Sequence, residues 1–448
     1  MIGLITGNLR VYSHVWLGAF WVAVVCGFVV SCGMFLHYTA GFYDEWTRKT
    51  LQNAGSSVIV FSSVAGIGVL ASIAALTVSL QRREYALWQI AGVSPRAIMV
   101  ALIGQLVLVS LSGSALGAAG AAFFCDALFP AVFAAWPQMN DVSPQWTIGS
   151  LVGACLVVVA IFVCGGLRSC VRAGRVSVME ALRGDEAPST RVFWLRALLT
   201  VSLVALLAWA AVGLSESDFT TVMTWGVLLP IPFCALIGLS ASFVCPFVTR
   251  VWTAVVPPSM VPAWIVARRR ALAELAHGSS AQLPVAVGFG MVAGLYSVLG
   301  ALRSYAAMQG ADASGYGLGL TEVILMLGGP VLVCGVGAAC SVVMSVKSRG
   351  RDVSLLSAAG ASQAMVVASA SLEAVIHVVS SILLGSAVAL LSVMMLNVSL
   401  GASLFAGAEL APGLVVAAVG AILIAFATLV PTGIALSRDV GPALALRE

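Results

Sequence analysis

Two ionisable side chains stand within a long apolar run, and they are the residues of this sequence best placed to do chemistry in an apolar environment. Glu373 lies well inside the run, and His377 follows four residues later, on the same face of a helix. An ionisable group at such depth is costly and usually faces protein or a water-filled cavity. The pair could hold helices together through a hydrogen bond, contact or gate a substrate, or relay protons. A proton relay would need a second acid, which the equivalent stretch in the first half of the chain lacks.

The sequence predicts no active site, metal or cofactor in this chain. A P-loop binds nucleotide phosphates through backbone amides and one lysine, and neither Lys49 nor Lys347 can complete that motif. No His-Glu-x-x-His pattern occurs, and the four histidines are dispersed along the chain. The ten cysteines show no paired or metal-ligand spacing, so we interpret them as small buried hydrophobes. We therefore expect no catalytic residue here, and any ATP must be bound by another polypeptide.

Composition identifies the class of protein. Hydrophobic residues make up 60% of the chain and charged residues 9%, whereas soluble domains carry about 25% charged residues. We expect an all-α integral membrane protein, with the lipid bilayer as its main surroundings and no nucleic-acid partner.

Apolar runs long enough to span a bilayer need about 20 residues. Ten such runs predict about ten transmembrane helices, near residues 15–36, 58–80, 98–124, 147–167, 195–214, 222–247, 284–302, 322–346, 364–396 and 410–436. All of the 22 Lys and Arg residues except Arg48, Lys49 and Arg303 then fall on one side of the membrane. Because positive charge marks the cytoplasmic side, both termini are predicted to be cytoplasmic.

A charged, amphipathic segment interrupts the apolar runs twice. We name residues 81–96 the first signature segment and residues 349–362 the second. The pairs that match at a constant offset are Arg83 with Arg351, Glu84 with Asp352, Leu87 with Leu355, Gly92 with Gly360, and Ser94 with Ser362. Each segment predicts a short helix that ends at its glycine in the left-handed conformation, followed by a serine that caps the next helix. In the first segment, the apolar patch would hold Tyr85, Leu87, Trp88 and Ala91.

The signature segments sit at matched places in a duplicated frame. The repeat predicts a first four-span unit at residues 1–186, two linking spans at 187–261 and a second four-span unit at 262–448. Because the linking spans are two, both units begin on the same side, as in a parallel repeat. Gln105 occupies in the first unit the place that Glu373 has in the second.

Three further features concern how the helices pack. Residues 262–275 combine apolar residues with Arg268, Arg269 and Arg270, which predicts a helix on the inner membrane face, either a positive anchor or a partner contact. Proline is expected to kink the sixth span at positions 230 and 232 and the eighth at 330. Small residues predicted to bring helices close together are Gly113, Gly117, Gly120 and Gly385.

Arg-Arg-Glu, then a short apolar helix, then Gly-x-Ser resembles the cytoplasmic coupling segment of FtsX-like (MacB-type) permeases, the membrane halves of a class of ABC transporters. The resemblance implies two cytoplasmic ATP-binding cassette subunits, which would hold ATP and Mg²⁺. The coupling residues that it implies are Arg83, Glu84, Leu87, Trp88, Gly92 and Ser94, with Arg351, Asp352, Leu355, Leu356, Gly360 and Ser362. Members of that family commonly carry Glu at this place after the coupling segment. Glu373 matches that pattern, and Gln105 departs from it.

The ten-span count is similar to the bacitracin-resistance branch of that family, although the large external domain of that branch is absent from this sequence. The resemblance implies a plasma (inner) membrane permease that acts by mechanotransmission on an amphiphilic peptide, lipid or hydrophobic toxin. Two other classes stay open at this point. One is a non-transporting scaffold that regulates an extracellular enzyme, with an external partner; the other is an ion-driven secondary transporter.

Overall fold

A computed structural model of the chain describes residues 13–133, 142–174, 190–215, 222, 225–256, 262–277, 282–310 and 320–436. These residues form α-helices joined by short turns, and no strand occurs among them. The helices are α1 Ser13–Thr39, α2 Glu45–Leu80, α3 Arg82–Ile90, α4 Pro95–Phe133, α5 Ile148–Gly174, α6 Thr190–Ser215, α7 Pro230–Thr253, α8 Pro262–His277, α9 Gln282–Met308, α10 Leu320–Ala358, α11 Gln363–Leu400 and α12 Ala411–Leu436, with a 3-10 turn at Ala40–Phe42.

Within the described residues, eight helices are long and apolar enough to cross a membrane. Two further predicted runs appear as shorter apolar helices, Leu198–Gly213 within α6 and Met326–Ser341 within α10. Helices suit a bilayer because each satisfies its own backbone hydrogen bonds where no water is available. The all-α membrane class is therefore confirmed, while the count of ten spans stays a prediction.

Four helices are longer than a bilayer requires. Helices α2, α4, α10 and α11 have 36, 39, 39 and 38 residues, which at about 1.5 Å per residue gives lengths of about 54–59 Å. The hydrocarbon core is only about 30 Å thick. These helices therefore extend beyond it, and both signature segments lie at such ends.

The helices recur in the same order along the chain, with α1, α2, α4 and α5 corresponding to α9, α10, α11 and α12. Their contacts recur as well: α1 packs against α4 as α9 packs against α11, and α2 packs against α5 as α10 packs against α12. The two sets meet chiefly through α2 and α10, which are equivalent helices. Helices α6 and α7 pack against α11. The exact unit boundaries stay predictions.

Glycines bring equivalent helices close together. A Cβ atom on Gly117 would collide with the carbonyl oxygen of Val24, and one on Gly113 would lie 2.6 Å from the Cβ of Ala23. In the second set, a Cβ on Gly385 would lie 2.6 Å from a ring carbon of Phe289. Gly120 does not share this role, because its Cβ would meet Phe28 at an ordinary 3.8 Å.

The prolines act differently from the prediction for the sixth span. Helix α7 starts at Pro230, so Pro230 and Pro232 lie in its first turn rather than inside it. The missing N–H costs little there, because the first turn has no intrahelical acceptor for it. Pro330 lies within α10, which continues through it.

Candidate functional site

The first signature segment forms its own helix, as predicted. The turn at Gln81 ends α2, and α3 begins at the next residue. Tyr85 is fully buried, and its hydroxyl donates a hydrogen bond of 2.6 Å to Oε1 of Gln81. Its ring meets Trp88 edge-on, with the ring centroids 5.8 Å apart. The inward face of α3 is thus anchored at the turn that separates it from α2.

The second signature segment does not form a separate helix. Residues 349–358 are the last turns of α10, which runs unbroken from Leu320 to Ala358. Val353, buried at 2% exposure, stands where the first segment has Tyr85. The prediction of an isolated short helix is therefore wrong for the second copy, because no turn corresponding to that at Gln81 interrupts α10.

Both segments nevertheless end in the same way. Gly92 and Gly360 have φ angles of +88° and +87°, in the left-handed region that favours glycine. The paired bonds of the Schellman motif close each end. In the first copy, the Gly92 N–H donates to the carbonyl oxygen of Gln89 (3.0 Å) and the Val93 N–H donates to that of Trp88 (2.9 Å). In the second copy, the Gly360 N–H donates to the carbonyl oxygen of Ser357 (3.0 Å) and the Ala361 N–H donates to that of Leu356 (3.0 Å).

A serine joins each segment to the long helix that follows. The Ala97 N–H donates to Oγ of Ser94 at 3.3 Å, and the Met365 N–H donates to Oγ of Ser362 at 3.2 Å. An N-cap of this kind satisfies a backbone donor that would otherwise lack a helical partner. Both segments are therefore connected to α4 and α11 through short turns with matching hydrogen bonds.

An apolar side chain projects from each segment. Leu87 is 46% exposed and Leu355 is 52% exposed. In the first segment Ile90 lies one turn from Leu87 and is 60% exposed, while Trp88 is partly buried against the hydrophobic core. The outward apolar patch is thus Leu87 with Ile90, and the prediction that Tyr85 belongs to it is wrong because Tyr85 faces inward.

The other predicted coupling residues fall into two groups. Glu84 and Leu356 are partly buried, and the capping positions Gly92, Ser94, Gly360 and Ser362 are exposed. The side chains of Arg83, Arg351 and Asp352 lie outside the described part of the structure. Their predicted role in coupling therefore stays a prediction.

The buried polar residues belong to a cluster that joins α8 to α11. Glu373 is fully buried, and its Oε2 lies 3.6 Å from Nε of Arg270. His377 is buried too, with Nε2 at 3.3 Å from Oε2 of Glu274. Each helix contributes two of these residues four positions apart. That matching spacing is a sequence signal that could have indicated Arg270 and Glu274 as the partners.

Helix α8 therefore packs within the protein. Trp264, Ala267 and Ala271 form a hydrophobic cluster with Ile376 of α11. Arg268 donates from Nε to Oγ1 of Thr253 at 3.0 Å. Among the three predicted basic residues Arg269 alone is exposed, so α8 is a packed helix rather than an anchor that only lies along the membrane face.

The cluster also has the atoms of a metal site. Ligand atoms of Glu274, Glu373 and His377 all lie within 4.8 Å of one another, and carboxylate with imidazole suits a divalent transition metal. Arg270, however, brings its positive charge to the same carboxylate of Glu373. We therefore interpret the cluster as an ion pair between Arg270 and Glu373 with a neighbouring polar contact between His377 and Glu274, which together join the two helices.

Gln105 occupies on α4 the place that Glu373 has on α11, and it is also buried, at 1% exposure. The chain equivalent to α8 in the first set would be residues 1–12, which lie outside the described residues.

Comparison with known families finds a match in the part of the chain that contains the first signature segment. Residues 56–174 match the family model described as FtsX-like permease C-terminal, a range that contains α3, α4, α5 and most of α2. No curated protein matches the chain. The apolar helices make the chain a multi-pass membrane protein, and its residues 56–174 are similar to the C-terminal domain of FtsX-like permeases, a permease type that associates with ABC ATPases.

Proposed function

We propose that this chain is the membrane subunit of an ABC transporter that exports or extracts an amphiphilic substrate, such as a peptide, lipid or hydrophobic toxin. Two separate cytoplasmic ATP-binding cassette subunits bind ATP and Mg²⁺ and dock on the two signature segments. The chain itself is not an enzyme. It works in the plasma (inner) membrane with both termini in the cytoplasm.

The observation that carries this proposal is the paired construction of the signature segments. Each presents a leucine about half exposed, Leu87 or Leu355, next to a glycine turn with the same hydrogen bonds. A turn that serves only to reverse the chain gains nothing from an exposed leucine at the same place in both copies. Two equivalent apolar contacts suit two copies of one soluble partner, because equivalent surfaces bind the same groove.

The connections beyond the segments support mechanotransmission. Ser94 and Ser362 cap α4 and α11, so a displaced segment displaces a long helix with it. Helix α4 packs closely on α1 at Gly117, and α11 packs closely on α9 at Gly385. Movement of the partner subunits would then reach the opposite ends of the helices without a continuous pore.

The connections at those opposite ends favour a substrate met at the membrane. The described residues between α11 and α12 are only 401–410, too few for a folded domain. An amphiphile already in the outer leaflet needs no such domain to reach the helices. The short connection therefore supports an amphiphilic substrate.

The proposal is tested by replacing both exposed leucines of the signature segments with the negatively charged aspartate. The double variant Leu87→Asp plus Leu355→Asp is compared with Leu404→Asp, an exposed leucine beyond the far end of α11. Each tagged protein is isolated from native membranes in mild detergent, and co-purifying proteins are identified and quantified by mass spectrometry. We expect two ATP-binding cassette subunits per chain with the wild type and with Leu404→Asp, and loss of both with the double variant.

The outcomes also separate the alternative classes. Absence of any ATP-binding cassette protein from the wild-type preparation would count against the proposal, and a stable extracellular enzyme in its place would favour the scaffold. Ion-driven transport in protein-containing vesicles without an ATPase, abolished by Glu373→Gln, would favour a secondary transporter. Retention of both ATPase subunits by the double variant would show that they dock elsewhere.

A further inference from the structure

A groove of about 310 Å³ lies between α11 and α12. Its lining includes Ser371, Ala374, Val375 and Val378 from α11 with Ala421 and Ala425 from α12. Both helices are long and apolar enough to span a membrane. Val375 is 50% exposed, so the groove opens on the outer surface of the helix bundle.

The groove has a local cause in the sequence of the second unit. Ala374 occupies the place that Leu106 has in the first unit, at the offset that relates the signature segments. Leu106 is 3% exposed, and its side chain lies so close to Gly166 of α5 that a Cβ there would collide with it. The Leu106 side chain therefore fills the space between α4 and α5, whereas the smaller Ala374 leaves the groove between α11 and α12 open.

We propose that this groove binds one hydrocarbon chain of a bilayer lipid. An empty apolar gap forfeits the dispersion contacts of the atoms that line it, and the surrounding bilayer supplies chains that can restore them. The volume lies at the lower end of the range of small-molecule sites, about 300–1,000 Å³. A lipid chain held there is distinct from the general lipid shell because helices contact it on two sides.

The chemistry of the lining selects hydrocarbon over a polar group. The side chain with a hydroxyl, Ser371, already donates it to the carbonyl oxygen of Val367 at 3.0 Å. The other lining residues are Ala, Val and Leu. A head group would lose its hydrogen bonds to water here without replacement. The site is independent of the proposed ATPase partners, because it requires only the membrane.

The test uses vesicles of phosphatidylcholine in which one acyl chain carries a photoactivatable diazirine. The full chain is incorporated, irradiated and digested, and lipid adducts on peptides spanning residues 371–379 and 421–429 are quantified by mass spectrometry. The variants Ala374→Leu and Ala425→Leu fill the groove from either helix, so one remains informative if the other fails to fold. Val398→Leu adds a methylene group at an exposed position elsewhere on α11.

We expect labelling of the groove peptides to fall about tenfold in both filling variants, as expected when two or more buried methylene groups are displaced, and to stay unchanged in Val398→Leu. Equal labelling of the wild type and both filling variants would overturn the proposal, since an ordinary lipid-facing surface would explain it. Adducts that link these peptides to another protein chain would also overturn it, because a neighbouring helix would then be the occupant.

Discussion

Arg270 of α8 and Glu373 of α11 form an ion pair across two helices, with Nε of the arginine 3.6 Å from Oε2 of the carboxylate. Glu373 is fully buried. His377 meets Glu274 one turn further along the same two helices. Glu373 thus joins α11 to α8, the helix with which the predicted second unit begins, and this contact between helices supports a structural role for Glu373.

Glu373→Gln is expected to destabilise the protein, because Arg270 would lose a buried charged partner. Removing one member of a buried pair typically costs about 3–5 kcal/mol. Arg270 is 15% exposed in its side chain, which favours the lower end of that range. The measurement is the thermal midpoint of the purified protein in detergent, and we expect a clear decrease.

The matched control is Arg269→Met, since Arg269 is the exposed neighbour on α8. It should leave the midpoint close to that of the wild type. The double variant Arg270→Met plus Glu373→Met should lose less stability than the sum of the losses in the single variants Arg270→Met and Glu373→Met. In the double variant no unpaired charge remains in the interface between the helices. Strict additivity would mean that the two side chains do not interact energetically.

If the proposed partner subunits dock on the signature segments, the two segments should bind them with different strength. Ile90 is 60% exposed next to Leu87, whereas its equivalent in the second segment is Ala358. Ile90→Ala should weaken docking on the first segment by up to about 50-fold, since it removes three carbon atoms and each buried methylene group contributes about 0.8 kcal/mol. Ala358→Ile should strengthen docking on the second. The strength of docking in each variant is measured as the amount of ATP-binding cassette subunit that stays bound at increasing dilution. Unchanged retention in both Ile90→Ala and Ala358→Ile would exclude positions 90 and 358 from the docking surface.

The sequence could predict the ends of the signature segments because local rules determine them. A left-handed turn favours glycine at positions 92 and 360, and a helix start favours serine at 94 and 362, whatever the surroundings. It could not predict that α3 is separate while α10 runs on. The two copies differ at the break, since Gln81 and Tyr85, which share a hydrogen bond in the first copy, correspond to Arg349 and Val353 in the second, and no local sequence rule converts that difference into a helix end.

The role of Glu373 was only partly predictable for a similar reason. Its cost in an apolar helix indicated a protein partner. The partner, Arg270, belongs to a basic run that pattern alone assigns to the membrane surface. Only the packing of α8 on α11 through Trp264 and Ile376 brings the two charges together.

Substituting the turn glycines should affect stability through the backbone alone. A Cβ atom on Gly92 or Gly360 would meet nothing within 4 Å, but both residues have positive φ. Gly92→Ala and Gly360→Ala should each lower the free energy of unfolding by about 1–2 kcal/mol, the cost of placing a side chain in the left-handed region. The thermal midpoint in detergent measures this.

Gly238→Ala is the control for those variants, because Gly238 lies within α7 and also has open space around its Cβ position. There alanine should raise stability by up to about 1 kcal/mol through its higher helix propensity. Gly92→Asn should cost less than Gly92→Ala, since Asn tolerates the left-handed region. A Gly92→Ala protein as stable as the wild type would mean that the turn adopts another conformation.

A single methyl group added in the close contact between α1 and α4 should destabilise the protein. A Cβ on Gly117 would collide with the Val24 carbonyl oxygen, which cannot move unless α1 shifts as a whole, so Gly117→Ala should cost about 1–3 kcal/mol. Gly385→Ala, its equivalent, should cost less because a carbonyl oxygen lies farther away, at 2.9 Å, and the nearest atom belongs to the Phe289 side chain. Gly120→Ala, with its 3.8 Å contact, should be neutral. The order of the three thermal midpoints tests how closely α1 and α4 approach each other. If Gly117→Ala had the same thermal midpoint as Gly120→Ala, α1 and α4 would not be in close contact at Gly117.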